Sequence, residues 1–118
     1  MFISSLVSLP EKIMNTEEII SKVTEKLRTH YNPKEIILFG SYASGNPGKG
    51  SDLDLLIIKD TDEKFRQRAL NVRRILIEEN GLIGLDILVY TPDEIARRME
   101  MGDSFLSKIM KEGIVLYG

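Results

Sequence analysis

Three aspartates stand where a buried strand would ordinarily place apolar side chains. Asp52 and Asp54 lie in Ser51-Asp52-Leu53-Asp54-Leu55-Leu56-Ile57-Ile58, and Asp86 lies inside Gly84-Leu85-Asp86-Ile87-Leu88-Val89. Successive strand side chains alternate faces, so Asp52 and Asp54 point the same way. Carboxylates held that close repel, and burial penalises each charge further. Pairing with arginines, with Asp52 capping the strand entry, would relieve any one of them. A divalent cation explains all three together, because hard cations bind carboxylate oxygens and Mg²⁺ takes a few of them plus substrate phosphates.

A second chemical feature precedes them. Phe39-Gly40-Ser41 follows the apolar run Ile36-Ile37-Leu38-Phe39, and a glycine there lets backbone N–H groups approach a ligand closely. A short helix beginning at Ser41 and running through Tyr42-Ala43-Ser44 would turn free N–H groups toward an anion. The nearby Gly48-Lys49-Gly50-Ser51 looks like a phosphate loop and is not one. Gly50 follows the lysine where Ser or Thr is required, Ala43 stands in place of the first glycine, and a strand follows instead of a helix. Asn46 to Gly50 is a flexible loop in which Lys49 is either solvated or near a bound phosphate.

The elements that must position these groups are legible from periodicity. A first helix runs from Asn15 or Thr16 to His30, with Ile19, Ile20, Val23, Leu27 and Tyr31 on one face and Asn32-Pro33 ending it. Ile36 to Phe39 and Leu53 to Ile58 are strands. A second helix spans about Asp62 to Glu79, with Phe65, Ala69, Val72 and Leu76 inward, Arg66, Arg73 and Arg74 outward, and Asn80-Gly81 as its stop. Leu85 to Tyr90 is a third strand. Thr91-Pro92-Asp93-Glu94 opens another helix with a capping box and proline at the first position. A last helix, Asp103 to Lys111, buries Phe105, Leu106, Ile109 and Met110, and Ile114 to Tyr117 closes as an edge strand. Tyr42, Tyr90 and Tyr117 are packing residues. The order gives an α/β (α+β) protein: a small mixed sheet of about four strands with helices packed against it.

Composition narrows the chemistry. With 118 residues the chain fits one domain, and at 42% hydrophobic and 29% charged it can bury a core without covalent staples. It has no cysteine, and His30 is its one histidine, which removes thiolate sites and leaves oxygen as the metal donor. A net charge of −2 with interspersed signs gives no field for direct nucleic-acid binding. Residues 1–14 read as a leader too short and polar to span a membrane and without the positive start of a signal peptide. Residues 15–118 are the domain, and the cytoplasm is the expected location.

Gly40-Ser41, ten intervening residues and then Asp52-Leu53-Asp54 resemble the signature of the DNA-polymerase-beta-like nucleotidyltransferase superfamily. Asp86, on a later strand, resembles that family's third carboxylate, and the likeness is strongest to its minimal prokaryotic branch. The resemblance implies a palm-like fold and two-metal transfer of AMP from ATP. Asp52 and Asp54 would coordinate both Mg²⁺ ions, Asp86 would bind the catalytic one and help activate the attacking hydroxyl, and Gly40 and Ser41 would hold the β- and γ-phosphates. Minimal members are often encoded beside a helical HEPN-type partner, so the resemblance also implies an antitoxin that adenylylates a tyrosine of an RNase-like toxin. Other outcomes of the same motif are a nucleotide-binding module that masks its partner without chemistry, and transfer to RNA or a small molecule. One departure stands out: many relatives read Gly-Ser-x-Ala-Arg-Gly, and here Ser44 replaces the arginine. Lys49, if near a bound phosphate, would compensate for the lack of a cation at Ser44.

Overall fold

The computed structural model describes residues 14–118; the leader expected over residues 1–14 lies almost wholly outside them. Helix α1, Thr16–His30, starts at an Asn15 cap. The Asn15 side chain accepts from the Glu18 N–H at 2.8 Å, and Glu18 accepts from the Asn15 N–H at 3.0 Å. Two otherwise orphaned donors are thereby satisfied. The helix ends where Asn32 turns left-handed, at φ 53°, ahead of Pro33.

Strands β1 (Glu35–Phe39), β2 (Leu53–Ile58), β3 (Leu85–Tyr90) and β4 (Ile114–Tyr117) form one mixed sheet in the order β3-β2-β1-β4. β1 runs antiparallel to β2 and β4, whereas β2 and β3 are parallel. The four-residue helix α2, Ser41–Ser44, leaves the end of β1 as the Gly-Ser sequence suggests. A parallel pair needs a crossover, and α3 (Phe65–Ile75) with α4 (Ile77–Asn80) supplies it. Helices α5 (Pro92–Glu100) and α6 (Ser104–Glu112) complete the described residues. The Thr91 capping box and the Pro92 start of α5 are both present.

Alternation sorts the strands into two layers. On one face Ile36, Leu38, Leu53, Leu55, Ile57, Leu85, Ile87 and Val89 pack with Ile19, Val23 and Leu27 of α1 and with Val72 and Leu76 of the crossover. On the other, Ile37, Leu56 and Ile58 meet Ile95 of α5 and Leu106 and Ile109 of α6, rimmed by Phe39, Leu88 and Tyr90. With both faces covered, β2 is apolar almost throughout. No helix among the described residues is long and apolar enough to cross a membrane.

The structure corrects the helix boundaries and some inward positions. The expected single helix from Asp62 to Glu79 begins at Phe65, after an extended Lys64, and breaks at Leu76. Thr61 Oγ1 accepts from the Glu63 N–H at 3.1 Å, and this local turn holds the chain out of the helix. Phe65 is 47% exposed and lies against the Tyr90 ring instead of in the core. Arg68 takes the inward place, 5% exposed. In α6, Leu106 and Ile109 are buried, while Phe105 and Met110, on the flanks of that stripe, are 53% and 38% exposed.

Candidate active site

The register of the parallel pair sets Asp54 directly beside Asp86, one on β2 and one on β3. Both belong to the face that carries Leu56 and Leu88, and Asp52, two residues before Asp54, shares it. Helices α5 and α6 cover this face over Leu56 and Ile58 but leave its Asp54–Asp86 end open. Asp52 and Asp86 are exposed and Asp54 is half-buried. Among the described residues, none of the three aspartates is ion-paired with an arginine or lysine. Structural pairing therefore does not account for them.

Asp54 bears the strain of this crowding. Burial, then the nearness and charge of Asp86 and the charge of Asp52, push its carboxyl from 3.8 up to about 6. The three side chains influence one another electrostatically, yet no group of three His, Cys, Asp or Glu side chains among the described residues stands ready-gathered as a metal centre. The arrangement is a facing carboxyl pair with a third carboxylate beside it.

Two glycines make room for these acids. A Cβ on Gly40 would fall 2.0 Å from Asp54 Oδ2, and Gly40 also adopts φ 77°, which side-chain-bearing residues rarely enter. A Cβ on Gly84 would fall 2.2 Å from Asp52 Oδ1. The same residue ties β3 to β2, because the Leu53 N–H donates to the Gly84 carbonyl at 2.8 Å. Gly40 thus joins the carboxylates as the sequence suggests, for a reason internal to the protein as well as any ligand contact. The motif and spacing do not single out Gly84; its signal in the sequence is a glycine two positions ahead of an in-strand aspartate.

Helix α2 begins beside this cluster. The Ala43 and Ser44 N–H groups both donate to the Gly40 carbonyl at 3.1 Å, closing a tight turn that starts at Ser41. Gly45, left-handed at φ 84°, ends it. Ser44, in place of an arginine, turns its hydroxyl back to the Ser41 carbonyl at 3.0 Å. Lys49 sits exposed in the loop beyond.

Comparison with known proteins places the chain in a family. The family model for a nucleotidyltransferase domain matches residues 20–116, which takes in both glycines and all three aspartates. Two proteins of Methanocaldococcus jannaschii, each named a putative protein adenylyltransferase, are similar to the chain. One is 31% identical over 106 residues, covering 88% of this chain and all of the relative. The other is 31% identical over 75 residues, covering 56% of this chain and 87% of the relative.

Proposed function

The chain belongs to the nucleotidyltransferase domain family, and we propose that it is an Mg²⁺-dependent protein adenylyltransferase that moves AMP from ATP to a hydroxyl of a partner protein. The observation that carries the reading is the juxtaposition of Asp54 with Asp86, without a lysine or arginine partner among the described residues and crowded enough to raise Asp54 to about 6. The relatives' names support the protein acceptor.

The donor set suits a hard divalent cation, being all carboxylate oxygen with no thiolate available in the chain. Asp52, Asp54 and Asp86 would hold it, and it would neutralise phosphate charge and acidify the attacking hydroxyl. The protein's own residues position the reactants and take up one proton. Gly40 and Ser41 would receive the β- and γ-phosphates where β1 turns into α2. Asp86, on the β3 side of the pair, would face the incoming hydroxyl and draw off its proton. The acceptor oxygen bonds to the α-phosphorus, the bond to the bridging oxygen of the β-phosphate breaks, and pyrophosphate leaves.

By resemblance, the acceptor is a tyrosine of a HEPN-type RNase toxin, with this chain as antitoxin. Co-expression with such a partner tests the point. Asp52→Asn/Asp54→Asn should still bind the partner but fail to neutralise it. Full neutralisation by the double variant would make the chain a mask without chemistry.

A further inference from the structure

Gly40 has a second neighbour besides Asp54. On its other side lies a cleft of about 440 Å³ between α2 and α6, floored by Phe39 and Phe105, whose rings meet edge-to-face at 5.8 Å. Ala43 and Ser44 form one wall, and Lys108 and Glu112 of α6 form the other. Among the described residues, Lys108 is the one cation lining this cleft. It makes no ion pair among the described residues. Glu112 lies one helical turn on, at the i+4 spacing that favours pairing, yet no salt bridge joins the two.

Through Gly40 the cleft adjoins the carboxylate pair. Asp86 on β3, Asp54 on β2, Gly40 at the end of β1 and Gly113 before β4 lie in sequence across adjacent strands, each step about 4.8 Å. If the α-phosphorus sits at the Asp54–Asp86 pair, the phosphates beyond it run toward Gly40 and the mouth of this cleft. That direction leads away from the acceptor side. A polyphosphate brought to three carboxylates needs positive charge at its far end, and Ser44 supplies none.

We infer that the cleft receives the terminal phosphates of the nucleoside triphosphate and that Lys108 is the cation that holds them. The inference rests on the nucleotidyl-transfer reading and adds to it a binding residue on α6. Lys108 contacts substrate phosphate, and the cation absent at Ser44 comes from a different element of the chain.

Binding of ATP and of AMP to the intact protein, measured by calorimetry with Mg²⁺ present, tests this. Lys108→Ala should weaken ATP about tenfold, the worth of one charge-assisted phosphate contact, and leave AMP within about twofold. Lys108→Arg should restore ATP binding, Lys111→Ala on the same helix should leave both ligands alone, and all variants should melt alike. Equal weakening of AMP and ATP, or undiminished ATP binding by Lys108→Ala, overturns the inference while leaving adenylyl transfer standing. A wild-type protein that binds neither nucleotide overturns the transfer reading itself.

Discussion

The Asp54 carboxylate rests against Gly40 so closely that a Cβ on Gly40 would lie 2.0 Å from Oδ2. The two residues sit at the facing ends of an antiparallel strand pair, where Phe39 is opposite Asp54. Gly40→Ala must therefore move the carboxylate or the turn into α2. It also places a side chain at φ 77°, which costs roughly 1–2 kcal/mol. The expected result is a folded protein, a few degrees less stable, with transfer slowed about 100-fold or more, since small displacements of a catalytic group have that effect. Thermal melts and single-turnover labelling check the two parts separately.

Gly84 seats Asp52 as Gly40 seats Asp54, but without a left-handed backbone. Asp52 is exposed and short, so its carboxylate can swing away from an added methyl group. Gly84→Ala should melt like wild type while needing about tenfold more Mg²⁺ for half-maximal transfer, within the range seen when a supporting contact to a ligand is lost. A Mg²⁺ titration at saturating ATP reads this, and an unchanged midpoint would show that Asp52 does not depend on its seat.

The raised Asp54 carboxyl makes the metal-free protein pH-sensitive. Its folded value, about 6, lies above the ordinary 3.8, so the fold binds this proton more tightly than the unfolded chain does. Stability from this group is full below about pH 4 and lost as pH rises toward about 6. Discounted for partial solvent exposure, the loss is on the order of 1 kcal/mol. Asp54→Asn should remove that slope and, at pH 7 without metal, be at least as stable as wild type, although inactive. Chemical denaturation between pH 4 and 7 in EDTA measures both.

Arg68 anchors the crossover. Its guanidinium grips Glu94 at 2.7 and 3.2 Å, donates to the Val89 carbonyl at 3.2 Å and, through Nε, to the Glu63 carbonyl at 2.8 Å. Glu94 also caps α5 through the Thr91 N–H at 2.9 Å. Arg68→Ala strands that carboxylate and two carbonyls, and should cost about 3 kcal/mol. Urea denaturation checks the value, and a loss under 1 kcal/mol would show that the pair is mere surface decoration.

Most of the sheet was legible in the sequence because its signals are local. Ile36 to Phe39, Leu53 to Ile58 and Leu85 to Tyr90 are short apolar runs between turn residues, and the aspartates stood out against them. The helix caps at Asn15 and Thr91 were equally readable, since each needs only a residue and its third successor. What escaped depends on long-range contact. Arg68 reads as one more basic residue on a charged helix until Glu94, 26 residues later, is folded against it. Phe65 and Phe105 fit apolar stripes by spacing, yet each rests on a neighbouring ring, Tyr90 and Phe39, at the edge of the core. Gly84 gains meaning only when β3 sets it against Asp52, and Lys108 only when α6 brings it to the cleft that Gly40 also lines.

The most direct test of the central claim is transfer of label from ATP. Purified protein and Mg²⁺ would be mixed with its partner or with source-cell lysate, using ATP labelled at the α- or the γ-phosphate. Asp52→Asn/Asp54→Asn would be the control. The account predicts a protein band labelled from α-labelled ATP alone and absent with the double variant. Label arriving from the γ-phosphate, or α-label transferred equally well by the double variant, would contradict it.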